Sequence, residues 1–154
     1  MIYFLCPKPE APSGGVWFIH RIAQLLNNSG VDALVVQRPP FDVFWDTHPI
    51  PESMIARGNL AFQDSDTFVI PECMYPNGVP VEILNSGSRK IVFVQNRVWL
   101  PDTIDLNGID VMVCSRYLAN HIRRVRSINV AGLVRPFLDP DLWQPTPKQA
   151  NRVT

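Results

Sequence analysis

Six short runs of consecutive apolar residues constrain the fold of this chain more than any other feature of its sequence. The clearest runs are "MIYFLC" (1–6) and "KIVFVQN" (90–96), and the others lie in 32–37, 67–72, 109–115 and 128–134. A run of this length without polar alternation is typical of a strand that is buried on both faces. Such strands indicate a parallel sheet with helices packed on both sides.

Segments with helical spacing separate the apolar runs. Ile19, Ile22 and Leu26 lie three or four positions apart, and asparagines and a glycine follow them, which predicts a helix that ends near residue 30. Further helices are predicted near 52–59, in 79–87 and in 116–125. The last of these carries an apolar stripe formed by Tyr117, Leu118, His121, Ile122 and Val125. Alternating strands and helices predict a doubly wound α/β fold, Rossmann-like, with a mostly parallel sheet of about six strands.

Length and charge exclude several classes of protein. The 154 residues fit one domain, and a hydrophobic content of 46% is enough for an ordinary core. The formal net charge is zero, which argues against a dedicated nucleic-acid-binding protein. The charge is unevenly distributed, because residues 1–77 have an excess of Asp and Glu and residues 78–154 have an excess of Lys and Arg.

The cysteines and the N-terminal residues indicate in which cellular compartment the protein is expected. Cys6, Cys73 and Cys114 are far apart in the sequence, which suits thiols in a reducing environment. There is no CxxC or Cys/His cluster, so no zinc site and no other metal site is expected. The N-terminal residues lack the pattern of a signal peptide, and every apolar run is shorter than the ~20 residues that a membrane-spanning helix needs. We therefore expect a cytoplasmic protein.

The first candidate site residues follow the first strand. In an open parallel sheet, ligands bind beyond the carboxyl ends of the strands. Gly14 and Gly15 precede the first predicted helix, where free N–H groups and close backbone approach favour the phosphates of a ligand. The alternative is that the glycines only turn the chain. No GxGxxG pattern is present, so neither NAD nor FAD binding is predicted.

Three more candidates follow later strands. Glu72 ends the third strand and is either a general base or sugar-hydroxyl acceptor, or a solvated loop carboxylate. Gln95 and Asn96 follow the fourth strand, where two neutral amides suit a ligand rich in hydroxyl groups. The alternative is that these amides cap or bridge the loop. The histidines, His20, His48 and His121, are expected to be structural.

Arginines are concentrated at and after the fifth strand. Arg116 lies at the turn between this strand and the next helix, among the positions where ligands of such sheets bind. Together with Arg123, Arg124 and Arg126 it offers contact to anionic lipid headgroups or to a phosphorylated acceptor. The alternative is a solvated, charged helix face. Under the first interpretation the protein would sit peripherally on the inner face of the membrane.

Taken together, these segments resemble the N-terminal Rossmann domain of GT-B glycosyltransferases, of the retaining family 4, or group 1, type. The resemblance is carried by "SGGVWFIHRIAQLLNNSGVDALVV" (13–36), "IVFVQNRVWL" (91–100), "DVMVCSRYLANHIRRV" (110–125) and "VRPFLDPDLWQP" (134–145). The last segment matches the closing motif of that domain at Asp139, Trp143 and Pro145. It departs from the motif at Phe137 and Leu138, where relatives often have Asn-Gly.

The resemblance implies a division of the chain. Residues 1–135 would form the acceptor-side domain, and 136–154 would form an interdomain linker and the start of a second domain that binds the nucleotide-sugar donor. Gly14 and Gly15 would lie near the donor phosphates, and Glu72, Gln95, Asn96 and Arg116 would surround a sugar or glycan acceptor. Relatives often have a histidine where this chain has Gln95-Asn96. No cofactor is implied beyond the nucleotide-sugar co-substrate.

Two functions of different classes follow. In the first, the chain is half of a truncated or split hexosyltransferase, inactive alone and completed by a donor-binding domain or a partner chain. In the second, it is a non-enzymatic module that binds a sugar, a nucleotide or a partner. A flavodoxin-like enzyme is disfavoured because nothing in the sequence supplies a phosphate loop for FMN.

Overall fold

The computed structural model describes residues 1–7, 13–37, 55–56, 60–100 and 102–136. The strands are β1 (Ile2–Cys6), β2 (Ala33–Gln37), β3 (Ile55–Ala56), β4 (Thr67–Pro71), β5 (Arg89–Val94), β6 (Asp110–Val113) and β7 (Val130–Leu133). The helices are α1 (Gly14–Asn28), α2 (Val81–Asn85) and α3 (Arg116–Arg126), and a 3₁₀ turn spans Arg97–Trp99. The predicted linker lies outside the described residues except for Pro136.

The described strands form one parallel sheet in the order β3-β2-β1-β4-β5-β6-β7. The chain runs outward from β1 to β3, returns to the other side of β1 at β4, and runs outward again to β7. This reversal confirms the predicted doubly wound, Rossmann-like α/β fold. It also creates a crevice at the carboxyl ends of β1 and β4, where ligands of such sheets bind.

The core fills both faces of the sheet. Successive side chains of a strand point to opposite faces, so Phe4 packs beneath α1 while Tyr3 and Leu5 pack on the side of α2. On that second face Val111 and Val113 pack beneath α3. Both faces are therefore apolar and covered, which explains why the strands read as continuous apolar runs.

The segment near 52–59 departs most clearly from the predicted secondary structure. Its described part is a strand and not a helix, because Ile55 and Ala56 pair with Val35 and Val36 on the open edge of β2. Pairing with an edge strand supplies backbone hydrogen bonds that outweigh the weak local preference for a helix. Residues 52–54 and 57–59 lie outside the described part of the chain.

The predicted apolar stripe of α3 is only partly correct. Leu118 and Ile122 are buried against β6 as predicted, and Ala119 is buried beside them. Tyr117 and Val125 are exposed instead, with 64% of Tyr117 accessible to solvent. The helix ends at Arg126, and its C-cap residue Ser127 adopts a left-handed conformation. The buried face of α3 is narrower than the sequence pattern indicates.

Asn27 joins the end of α1 to the start of β2. Its side-chain nitrogen donates to the carbonyl oxygens of Ala23, at 2.9 Å, and Ala33, at 2.6 Å, and its Oδ1 accepts from the Ala33 N–H at 3.4 Å. One side chain therefore satisfies backbone groups on both elements and sets the path of the turn between them.

Replacing Asn27 by alanine removes all three hydrogen bonds. We expect Asn27→Ala to lower the free energy of unfolding by about 1–3 kcal/mol, because backbone groups of Ala33 lose their partner. Urea denaturation measures the change. Asn28→Ala is the matched control, since Asn28 is exposed on the same turn. Equal stability of the two variants would contradict this account of the turn.

Candidate functional site

A cavity of about 780 Å³ lies at the crevice between the carboxyl ends of β1 and β4. Its polar lining comes from segments that the sequence keeps apart, the N-terminus of α1 and the residues after β4 and β5. The lining residues that matter for its chemistry are Ser13, Gly14, Gly15, Glu72, Gln95, Asn96 and Trp99. The predicted residues Gly14, Gly15, Glu72, Gln95 and Asn96 are thus brought together in one cavity.

The N-terminus of α1 forms one wall of the cavity. Ser13 caps the helix, and its Oγ accepts from the Val16 N–H at 3.5 Å. A Cβ atom added to Gly14 would meet nothing within 4 Å, so the backbone here borders open space. A Cβ atom on Gly15 would lie 2.9 Å from Gln95 Oε1. Gly15 therefore allows the Gln95 side chain to lie against the first turn of the helix.

Glu72 is a buried carboxyl group in the same cavity, with only 4% of the residue exposed. Its Oε1 accepts from the Asn96 N–H at 2.8 Å, which ties the end of β4 to the end of β5. Burial raises the pKa of the Glu72 carboxyl, while hydrogen bonds from the backbone N–H groups of Asn96, Glu72 and Gln95 act in the opposite direction. A carboxyl group with a raised pKa at a cavity wall is suited to proton exchange with a ligand hydroxyl.

The two amides after β5 serve different purposes. The side chain of Gln95 lines the cavity beside Gly15, where it is available to a ligand. Asn96 Oδ1 accepts from the Val98 N–H at 3.1 Å and so caps the 3₁₀ turn. For Asn96, the alternative that these amides cap the loop is therefore correct, although the residue also borders the cavity.

Arg116 is not part of this cavity. It is the exposed first residue of α3 and lines a separate pocket with Asn120, Arg123 and the edge strand β7. Arg126 has a different environment again, because its side chain is 10% exposed and donates to the carbonyl oxygens of Leu100 and Ile104. The predicted group of arginines therefore does not form one surface.

Two indole rings at the cavity, those of Trp17 and Trp99, were not among the predicted site residues. Trp99 is 61% exposed, although it lies in an ordered turn directly after the central strand β5. The signal for it was present in "QNRVWL", since a large aromatic residue just beyond a strand end is well placed to face a ligand.

His20 forms a second polar group beneath α1. Gln37 Nε2 lies 2.9 Å from His20 Nε2, within hydrogen-bonding distance. Cys6 Sγ lies 3.5 Å from the same ring nitrogen. Burial lowers the pKa of His20 to about 4 and raises the pKa of Cys6 to about 12. Burial thus favours the neutral form of both groups, which agrees with the structural role predicted for His20 and gives no sign of an activated cysteine.

No protein-family model, curated protein or solved structure matches this chain. Within the described ranges, no cluster of three or more His, Cys, Asp or Glu side chains is arranged to hold a metal ion. In the same part of the chain, no helix has the length and apolar character needed to cross a membrane.

Glu72→Gln tests the state of the buried carboxyl group. Since the pKa of Glu72 is raised on folding, the wild-type protein loses stability as the pH rises through that pKa, and the neutral amide does not. We expect the stability of Glu72→Gln relative to wild type to increase as the pH rises above about 4.5, the ordinary pKa of a glutamate. Urea denaturation at several pH values measures this. The exposed Glu82→Gln is the control, and a pH-independent difference for Glu72→Gln would refute the assignment.

His20 should have the opposite pH dependence. Its pKa is lowered on folding, so protons bind preferentially to the unfolded chain as the pH falls from about 6.5 to about 4. Relative to His20→Gln, the wild-type protein should lose about 3 kcal/mol of unfolding free energy between pH 7 and pH 4. The half-buried His121→Gln serves as control. Parallel pH profiles for wild type and His20→Gln would show that His20 is not held neutral.

Proposed function

We propose that the chain is the acceptor-side domain of a nucleotide-sugar-dependent glycosyltransferase of GT-B type. It is inactive alone and is completed by a donor-binding domain, either on the same polypeptide or on a partner chain. The observation that carries this proposal is the convergence of Gly14, Gly15, Glu72 and Gln95 on one cavity at the crevice between β1 and β4. That crevice is where a doubly wound domain presents its ligand site to a facing domain.

The N-terminus of α1 suits the donor phosphates. The first N–H groups of a helix have no acceptor within the helix, and the helix dipole favours negative charge there. Gly14 has open space where a side chain would begin, so a phosphate group can approach the backbone closely. This supports the role that the resemblance implies for the two glycines.

The ends of β4 and β5 suit a hydroxyl-bearing acceptor. Glu72 offers a carboxyl group with a raised pKa, and Gln95 offers an amide that both donates and accepts. An acceptor hydroxyl held here would face the donor bound at the helix N-terminus. Transfer still requires both substrates in a closed cleft, and this is why the domain needs a second one.

A non-enzymatic binding module is the alternative. It is favoured by one observation, that described residues of a single chain already bring the polar groups Ser13, Glu72, Gln95 and Asn96 to one cavity. This alternative predicts ligand binding by the isolated chain and no transferase activity in any combination with a donor-binding domain.

Sequencing the source DNA beyond codon 154 and in the neighbouring genes tests the proposal. It predicts a second Rossmann domain with two glutamates spaced for a nucleotide sugar, and transfer of labelled sugar from UDP- or GDP-sugars when the two parts are combined. Absence of such a reading frame, or of any transfer after combination, would leave only the binding-module alternative.

Gly14→Ala tests the phosphate site without disturbing the fold. The new methyl group meets no protein atom, so the urea midpoint should stay the same or rise slightly. The methyl group should nevertheless obstruct a phosphate, and we expect the affinity for UDP or GDP to fall about tenfold, or about 1.4 kcal/mol. Amide chemical shifts in an NMR titration measure both the binding and its location.

Gly132→Ala is the matched control, because its added Cβ would make an ordinary contact with Met112 at 3.5 Å, away from the cavity. Nucleotide binding that is equally strong in the Gly14→Ala variant and this control would place the phosphate site elsewhere.

A further inference from the structure

Trp99 is held in place at the mouth of the cavity although most of its side chain faces solvent. The turn that carries it begins at Asn96, whose N–H donates to Glu72 at 2.8 Å and whose side chain caps Val98. It ends at Leu100, which is buried and whose carbonyl oxygen accepts from Arg126 at 3.3 Å. The exposure of the indole is therefore a property of an anchored turn and not of a loose loop.

An exposed, fixed indole beside buried polar groups suits one kind of ligand, a sugar ring. A pyranose ring has a flat face of C–H groups and a rim of hydroxyl groups, so it needs an apolar plane and hydrogen-bonding partners around it. The indole of Trp99 supplies such a plane, and Glu72 and Gln95 in the same cavity supply the partners. Aromatic side chains with a few convergent polar groups are typical of small-molecule sites.

The charge of the lining residues restricts the chemical class of the ligand further. Among the described residues that line this cavity there is no lysine and no arginine, and Glu72 is its one carboxyl group. Among these described residues, a phosphorylated sugar would find no cationic side chain to pair with its phosphate. The nearest exposed arginines of α3, Arg116 and Arg123, line a different pocket.

We propose that Trp99 is the stacking platform for an uncharged sugar ring of the acceptor, whose hydroxyl groups bind Glu72 and Gln95. This inference rests on the proposed function and adds the class of acceptor, which is a neutral glycoside and not a sugar phosphate. Trp99 is a binding residue in this assignment and takes no part in proton transfer.

Saturation-transfer difference NMR on the full chain tests the inference. The probes are the methyl glycosides of glucose, galactose, mannose and N-acetylglucosamine, together with glucose 6-phosphate and uridine. We expect at least one methyl glycoside to bind, with the strongest saturation on the C–H protons of one ring face. Glucose 6-phosphate should bind more weakly than methyl glucoside.

Trp99→Ala should weaken binding of that glycoside about tenfold, and Trp99→Phe, which keeps a smaller aromatic plane, should weaken it less. Val98→Ala is the matched control, because Val98 is 73% exposed on the same turn and does not line this cavity. All variants should keep the urea midpoint of the wild-type protein, since neither side chain is part of the core.

The outcomes separate this inference from the proposed function. If a glycoside binds equally well to wild type and Trp99→Ala, the platform assignment is wrong and the acceptor-side proposal stands. If glucose 6-phosphate or uridine binds at Trp99 in preference to the methyl glycosides, the neutral-sugar class is wrong. If no sugar binds at any concentration tested, both the platform assignment and the acceptor-side proposal fail.

Discussion

The hydrogen bond from the Asn96 N–H to Glu72 Oε1 is the contact on which the candidate site depends. The ladder between β4 and β5 ends near this point, where the Glu72 N–H still donates to the Phe93 carbonyl oxygen at 3.2 Å. The carboxyl group then extends the connection beyond the last paired residue. A buried carboxylate is costly without partners, and the backbone N–H groups at this strand end provide them. The same contact fixes the start of the turn that presents Trp99.

The fold was largely predictable because its strands are buried on both faces. Residues 91–94 are all apolar, and a strand covered on both sides is typical of a parallel sheet. The cap of α1 and the glycines beside the crevice also follow from local chemistry, since Ser13 and Gly14 precede an apolar helix. β3 was not predictable in this way, because its two residues form a strand only through pairing with β2.

The candidate site was predictable in its location and not in its details. Position after a strand correctly places Glu72 and Gln95 at one edge of the sheet. It cannot say that Asn96 uses its side chain as a cap, or that Arg116 lines a separate pocket beside β7, because both depend on local backbone geometry. The contact between Cys6 and His20 could not be predicted from the sequence either, since it depends on how α1 packs against β1.

The strand β7 is an edge of the described sheet. Its surroundings affect whether the sheets of two molecules can pair edge to edge at high concentration. An exposed edge offers unpaired backbone groups to the edge of another molecule. Here the strand has four residues, its register with β6 shifts between Val111 and Met112, and Arg116 and Arg123 line the pocket beside it. A short, irregular edge flanked by positive charge is a poor template for a further strand. The arginines that have no place in the cavity therefore help to keep two copies of this sheet from joining edge to edge.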